Sequence, residues 1–88
     1  MERTHQALNV AFAEVLRRQR EAAGLTQEQL SELADVSTRH ISFLETGKRQ
    51  PTLAVLVALC AGLGVTLAGF ASDLDKQMMA SKDRSDDR

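Results

Sequence analysis

Tryptophan and tyrosine are absent from this sequence, and phenylalanine occurs only three times, so its core must be largely aliphatic. One proline and five glycines leave few turn-makers for an all-β fold. The single cysteine, Cys60, excludes an intrachain disulfide and suits a reducing cytosol. Two histidines, His5 and His40, with that one cysteine do not make a metal-ligand set, so no metal is expected. Phosphate-cradling glycine loops and paired carboxylates are also missing, so the residues give no support to catalysis, a cofactor or a small-molecule substrate. A length of 88 residues is too short for a (β/α)₈ barrel or a dinucleotide fold. The net charge of -1 rules out a global basic field. The opening M-E-R-T-H-Q carries no apolar signal-peptide core, and a cytoplasmic chain is expected.

Charge is nonetheless unevenly spread. Residues 36–51 carry Arg39, Lys48 and Arg49 against Glu45 alone, whereas residues 25–35 carry Glu28, Glu32 and Asp35 and no base. One run, Leu53–Ala71, has nineteen residues without a charge, close to membrane-spanning length. Gly62, Gly64, Thr66 and Gly69 interrupt it, and G-V-T at its middle reads as a helix stop followed by a helix start. A buried helical hairpin therefore accounts for the run, and no membrane partner is expected.

What the sequence does have is Ala, Leu, Glu, Gln and Arg, the helix formers, in a repeated helix-start pattern. An apolar residue precedes a Ser or Thr, and a second apolar residue follows four places later. The pattern occurs at Leu25-Thr26 with Leu30, Val36-Ser37 with Ile41, and Val65-Thr66 with Phe70. Gln29 completes a capping box with Thr26, and Thr52 after Pro51 starts a further helix. Leu8, Ala11, Phe12, Val15 and Leu16 keep the spacing of one buried stripe on a first helix, which Gly24 closes. The expected helices are then 27–34 with Leu30 and Leu33 inside, 38–45 with Ile41 and Leu44 inside, and 53–63, apolar nearly all round as a central helix would be. A last helix begins at Leu67 and presents Leu67, Phe70, Leu74 and Met78. Residues 1–80 form one domain on this reading, and 81–88 read as a disordered polar tail.

Helices 27–34 and 38–45 are short and separated by Asp35, Val36 and Ser37 alone. Two short helices across a three-residue turn make a helix-turn-helix unit, with Asp35 the residue that tolerates positive φ. With Ile41 and Leu44 inward, Thr38, Arg39, Ser42 and Phe43 fall largely on the outer face, as a major-groove reader needs.

The run G-L-T-Q-E-Q-L-S-E-L-A-D-V-S-T-R-H-I-S-F-L-E-T-G-K-R-Q-P-T, preceded by L-R-R-Q-R and followed by L-V-A-L-C-A-G-L-G-V-T-L, resembles the phage-repressor and Cro type of helix-turn-helix domain, the XRE family. The resemblance covers 11–74 and departs at Asp35, where the family usually has Gly, and at Ser31, where it usually has Ala. It implies a compact five-helix, all-α, lambda-repressor-like domain that binds double-stranded operator DNA, usually as a homodimer. It assigns base reading to Thr38 and Arg39, and a phosphate contact to Gln27. Arg39 can pair with guanine or hold a phosphate, and Ser42 is short enough to meet a base edge or the backbone. Ser37, Lys48 and Arg49 are candidate phosphate contacts. His40 is a phosphate contact or a free surface residue. Phe43 meets a thymine methyl or packs back onto the preceding helix. In the family a Glu at the position of Glu45 pairs with an Arg at the position of Arg20, although Arg17 or Arg18 could serve as partner.

The leading expectation is a stand-alone transcriptional regulator with no effector domain. The alternative is a protein-interaction module of the same fold, such as an antitoxin that neutralises a co-encoded toxin.

Overall fold

The computed structural model describes the backbone of residues 2–86 and the side chains of 5–80. Its elements are α1 (Glu2–Ala22), α2 (Gln27–Ala34), α3 (Thr38–Glu45), α4 (Leu53–Leu63) and α5 (Leu67–Asp86), with no strand among the described residues. The fold is therefore all-α with five helices. The starts of α2 to α5 are each a side chain closing an orphan amide of the first turn. Thr26 Oγ1 accepts from the Gln29 amide while Gln29 returns a bond to the Thr26 amide, which is the full capping box. Ser37 accepts from the His40 amide, Thr52 from that of Val55, and Thr66 from that of Gly69.

The helix ends share one device. α3 stops where Gly47 turns left-handed at φ 76°, its amide donating to Leu44 and that of Lys48 to Phe43. The same turn ends α2, but there the left-handed residue is Asp35, at φ 57°. It stands at the helix-turn-helix elbow, where its amide and that of Val36 both donate to the Ser31 carbonyl.

These elements close around one aliphatic core. Phe12, Val15 and Leu16 of α1 meet Leu30 of α2, Ile41 and Leu44 of α3, Leu59 and Cys60 of α4 and Phe70 of α5. Phe12 and Phe70 stack at a tilt with ring centroids 5.5 Å apart. α2 lies mainly on α4, while α1 lies on α3 and α5. At the α2–α4 crossing Gly62 lets the helices approach closely, since a Cβ there would stand 3.1 Å from Leu30 Cδ1 and 3.3 Å from the Ala34 backbone nitrogen, and both would have to give by a few tenths of an ångström. Burial pushes the Cys60 thiol above its ordinary pKa, in keeping with a core role.

Three expectations from the sequence change. Leu33 is 61% exposed, because α2 turns Leu30 and Ala34 inward and Leu33 lies beyond that stripe. α4 is not wrapped on all sides: Leu53 and Val57 are exposed, and its apolar surface exceeds what one small core covers. The last helix continues to Asp86, so the backbone of 81–86 is helical where the sequence reads as disordered tail. S-K-D-R-S-D has no Gly or Pro to stop a helix already running. The uncharged run is split between α4 and α5, which are bent by 103°, and no single described helix is long and apolar enough to cross a membrane.

Left-handed backbone at Asp35 makes the elbow sensitive to side-chain shape. A β-branched residue there should cost about 1–2 kcal/mol, the ordinary penalty of that conformation. We expect Asp35→Val to lower the urea midpoint accordingly and Asp35→Gly to leave it equal or higher, as followed by circular dichroism.

Candidate nucleic-acid interface

The site is built on α3, and α3 is anchored from below by charge. Glu45 ends that helix, where the macrodipole disfavours an acid. Its side chain is 4% exposed, and its partner Arg20 is 13% exposed. Arg20 Nε donates to Glu45 Oε2 at 2.6 Å and Nη2 to Oε1 at 3.0 Å, the two-pronged geometry of guanidinium and carboxylate. Arg20 Nη1 also donates to the Leu25 carbonyl at 2.7 Å. Gln27 Nε2 adds a third bond to Glu45, at 3.1 Å to Oε1. The bonds to Glu45 hold the Arg20 pKa above even its ordinary value, so the guanidinium is charged at any working pH. α1, the α1–α2 loop, α2 and α3 are thus tied at one point.

The other arginines of α1 go elsewhere. Arg17 Nη2 pairs with Glu14 on the same helix at 2.8 Å, and both are well exposed. Arg18 donates to Gln77 Oε1 at 3.1 Å, while Gln19 donates to Asp73. These last two tether α1 to α5. Sequence reasoning misses them, because an interhelical polar pair leaves no mark until the angular setting of both helices is known.

Above the anchor, the outer side of α3 is polar and basic. Arg39 is exposed, and Thr38, Ser42 and Phe43 are half-buried beside it. Lys48 and Arg49 are exposed on the loop that follows. Among the described residues none of these three cations has a carboxylate within ion-pair distance, so all three remain open to an anionic partner. The Arg39 guanidinium lies 5.5 Å from the Phe43 ring centroid and that of Arg49 lies 5.7 Å from it. Phe43 is outside the buried core cluster. Ser37 is exposed with its Oγ already accepting from the His40 amide, leaving its hydroxyl proton to donate. His40 is half-buried on the flank of α3.

Gln27 differs from its sequence reading. Its side-chain amide is turned to Glu45 rather than outward, because the carboxylate's second oxygen still lacks a full set of donors. Thr46 is a contributor not anticipated from the sequence: its hydroxyl donates to the Ser42 and Phe43 carbonyls and tightens the last turn of α3. A Thr just before the stopping Gly47 is the signal that would have found it.

Breaking this anchor on one side strands a buried charge. Arg20→Met should cost up to about 3–5 kcal/mol, the figure for a fully buried pair, less the share that water screens at the part-exposed guanidinium, whereas Arg20→Met with Glu45→Leu should recover most of that loss. A double-mutant cycle from denaturant midpoints checks it. Coupling below about 0.5 kcal/mol would mean that the two charges act independently, as exposed pairs do.

Comparison with known proteins agrees with this architecture. A helix-turn-helix family model matches residues 16–70. Control protein C.MunI of a Mycoplasma species is 34% identical over 71 residues, covering 80% of this chain and 96% of that protein. The crystal structure of the clp gene regulator ClgR from Corynebacterium glutamicum matches with a TM-score of 0.83 and 28% identity, over 90% of this chain and 84% of that one. The restriction-modification controller protein C.Esp1396I, crystallised as a tetramer in complex with its natural 35 base-pair operator, matches at a TM-score of 0.77 and 28% identity over 82% of this chain and 95% of its own. With the family model spanning most of the chain and the elbow, caps and anchor in place, this chain belongs to the XRE-type helix-turn-helix family.

Proposed function

We propose that the chain is a sequence-specific transcriptional regulator that binds double-stranded DNA as a homodimer, with α3 in the major groove. It acts by binding and not by catalysis. The observation that carries the reading is the outer side of α3 and its following loop, where Arg39, Lys48 and Arg49 stand exposed without acidic partners on a helix fixed from behind. Major-groove readers enter with the second helix of such a unit. Thr38, Arg39 and Ser42 are the proposed base contacts, with Phe43 beside them on the same face and in reach of a neighbouring thymine methyl, and Arg39 is suited to the O6 and N7 of guanine. Ser37, His40, Lys48 and Arg49 are the proposed phosphate contacts, which set register without reading sequence. Gln27 joins them through its backbone amide at the start of α2. Its side chain steadies Glu45 instead. Named relatives that are regulators and controller proteins, one of them crystallised on its operator, favour this reading over an antitoxin-like interaction module. A DNA-binding role and the lone buried thiol both suit a cytoplasmic chain.

The homodimer is supported by what the fold leaves uncovered. Leu53, Val57 and Leu67 are exposed on α4 and at the start of α5. A shallow groove on α5 is lined by Ala68, Ala71, Leu74 and Met78, with Ser72 and Asp75 at its polar side. A domain this small reads only a few base pairs, so useful discrimination needs two half-sites. Two-fold pairing through α4 and α5 sets the two copies of α3 one DNA turn apart, about 34–36 Å.

Sites selected from a random duplex pool test the reading. Arg39→Ala should weaken the selected site by about 1–3 kcal/mol and relax preference at one base pair. Lys48→Ala should weaken every duplex alike and lower the salt slope by about one. Equal losses for both variants on all duplexes would refute base reading by Arg39.

Light scattering tests the assembly. We expect a dimer that Leu67→Glu converts to monomer. A monomer at every concentration, with and without DNA, would contradict the dimer.

A further inference from the structure

Phe43 is the one large apolar side chain on the polar side of α3, and the core does not explain it. It follows Arg39 by one helical turn, so the two side chains share a face. Arg49 reaches the same ring from the loop after Gly47. The loop is held to this residue: the Lys48 amide donates to the Phe43 carbonyl at 3.0 Å, and the Thr46 hydroxyl donates to it at 3.2 Å. Neither arginine has a carboxylate within ion-pair distance among the described residues. The ring thus has both guanidiniums within cation–π distance.

We propose that Phe43 is a positioning residue for DNA recognition, whose ring holds Arg39 and Arg49 in a fixed mutual arrangement before DNA arrives. The proposal rests on the DNA-reading role given to Arg39 above. A free arginine must give up several rotatable bonds to make a two-pronged contact with guanine. An arginine already resting on a ring gives up fewer, and the difference falls on the correct base pair, where the two-pronged contact forms. Arg49 on the same ring links a phosphate contact to that register. Phe43 thereby sets how sharply Arg39 discriminates, without itself touching the base that Arg39 reads.

The test measures the ratio of affinities for the selected duplex and for one changed only at the base pair that Arg39→Ala relaxes. Phe43→Leu keeps an apolar side chain but removes the ring face, and it should lower this ratio about two- to five-fold, the worth of an exposed cation–π contact. Phe43→Tyr keeps the face and should keep the ratio. In an Arg39→Ala background, Phe43→Leu should change the ratio no further. Should Phe43→Leu leave the ratio untouched while Arg39→Ala lowers it, positioning is refuted and base reading stands. Should Phe43→Leu still act in the Arg39→Ala background, the ring reads the base directly and the proposal fails. Should Arg39→Ala not change discrimination at any base pair, the DNA-reading role itself fails. A readout on the free wild-type protein stands apart from any variant's folding: the Arg39 and Arg49 side-chain proton resonances should carry ring-current shifts, and ordinary shifts for both would overturn the proposal.

Discussion

A carboxylate buried at the end of a short helix needs a counter-charge, and here that need binds four segments together. Glu45 closes α3, Arg20 reaches it from α1, Gln27 from the first turn of α2, and the Leu25 carbonyl takes the remaining Arg20 prong. Helices of eight residues such as α2 and α3 are too short to persist alone in water. Their setting depends on the aliphatic core beneath and on this polar bolt at the edge. The core is non-directional and fixes that α3 is buried along Ile41 and Leu44. The ion pair is directional and fixes how α3 is rotated and where it ends. Net stabilisation by such a pair is small, because burying two charges costs about as much as their attraction returns. Its contribution is to hold one orientation of the helix over others, and any groove-reading surface on α3 depends on that.

The local parts of this fold were readable in the sequence because their causes are local. Thr26, Ser37, Thr52 and Thr66 mark helix starts by chemistry that spans three residues, and Gly24, Gly47 and Gly64 mark ends by backbone freedom. Asp35 at the elbow was readable for the same reason. Leu33 was misjudged because periodicity over eight residues tolerates a neighbouring stripe, and only the position of α4 decides between them. The backbone of α5 runs on to Asp86 because a polar segment without Gly or Pro does not by itself end a helix already running.

The candidate site was legible as a set of residue types on one face, and less so as an arrangement. Arg39, Lys48 and Arg49 were visible as a local excess of base, yet the approach of Arg39 and Arg49 to one phenyl ring depends on the turn made at Gly47. Gln27 shows a contact that residue type and position alone do not reveal. A side chain at a helix start suggests an anion site, but a buried carboxylate nearer by takes its amide first. The apolar character of 53–63 was visible as well, but that part of it stays uncovered, at Leu53 and Val57, shows only once α2 is packed at the Gly62 crossing.

In the proposed function one rigid face, α3 with its following loop, meets DNA while α4 and α5 face a second copy. Amide chemical shifts of the isotope-labelled protein, followed through a titration with its selected duplex, test this most directly. Large changes are expected at residues 27, 37–43 and 48–49, with the Arg20 and Glu45 signals keeping their free-state positions and the exposed face of α4 unmoved. Changes confined to α4 and α5, or an Arg20–Glu45 pair that rearranges on binding, would contradict it.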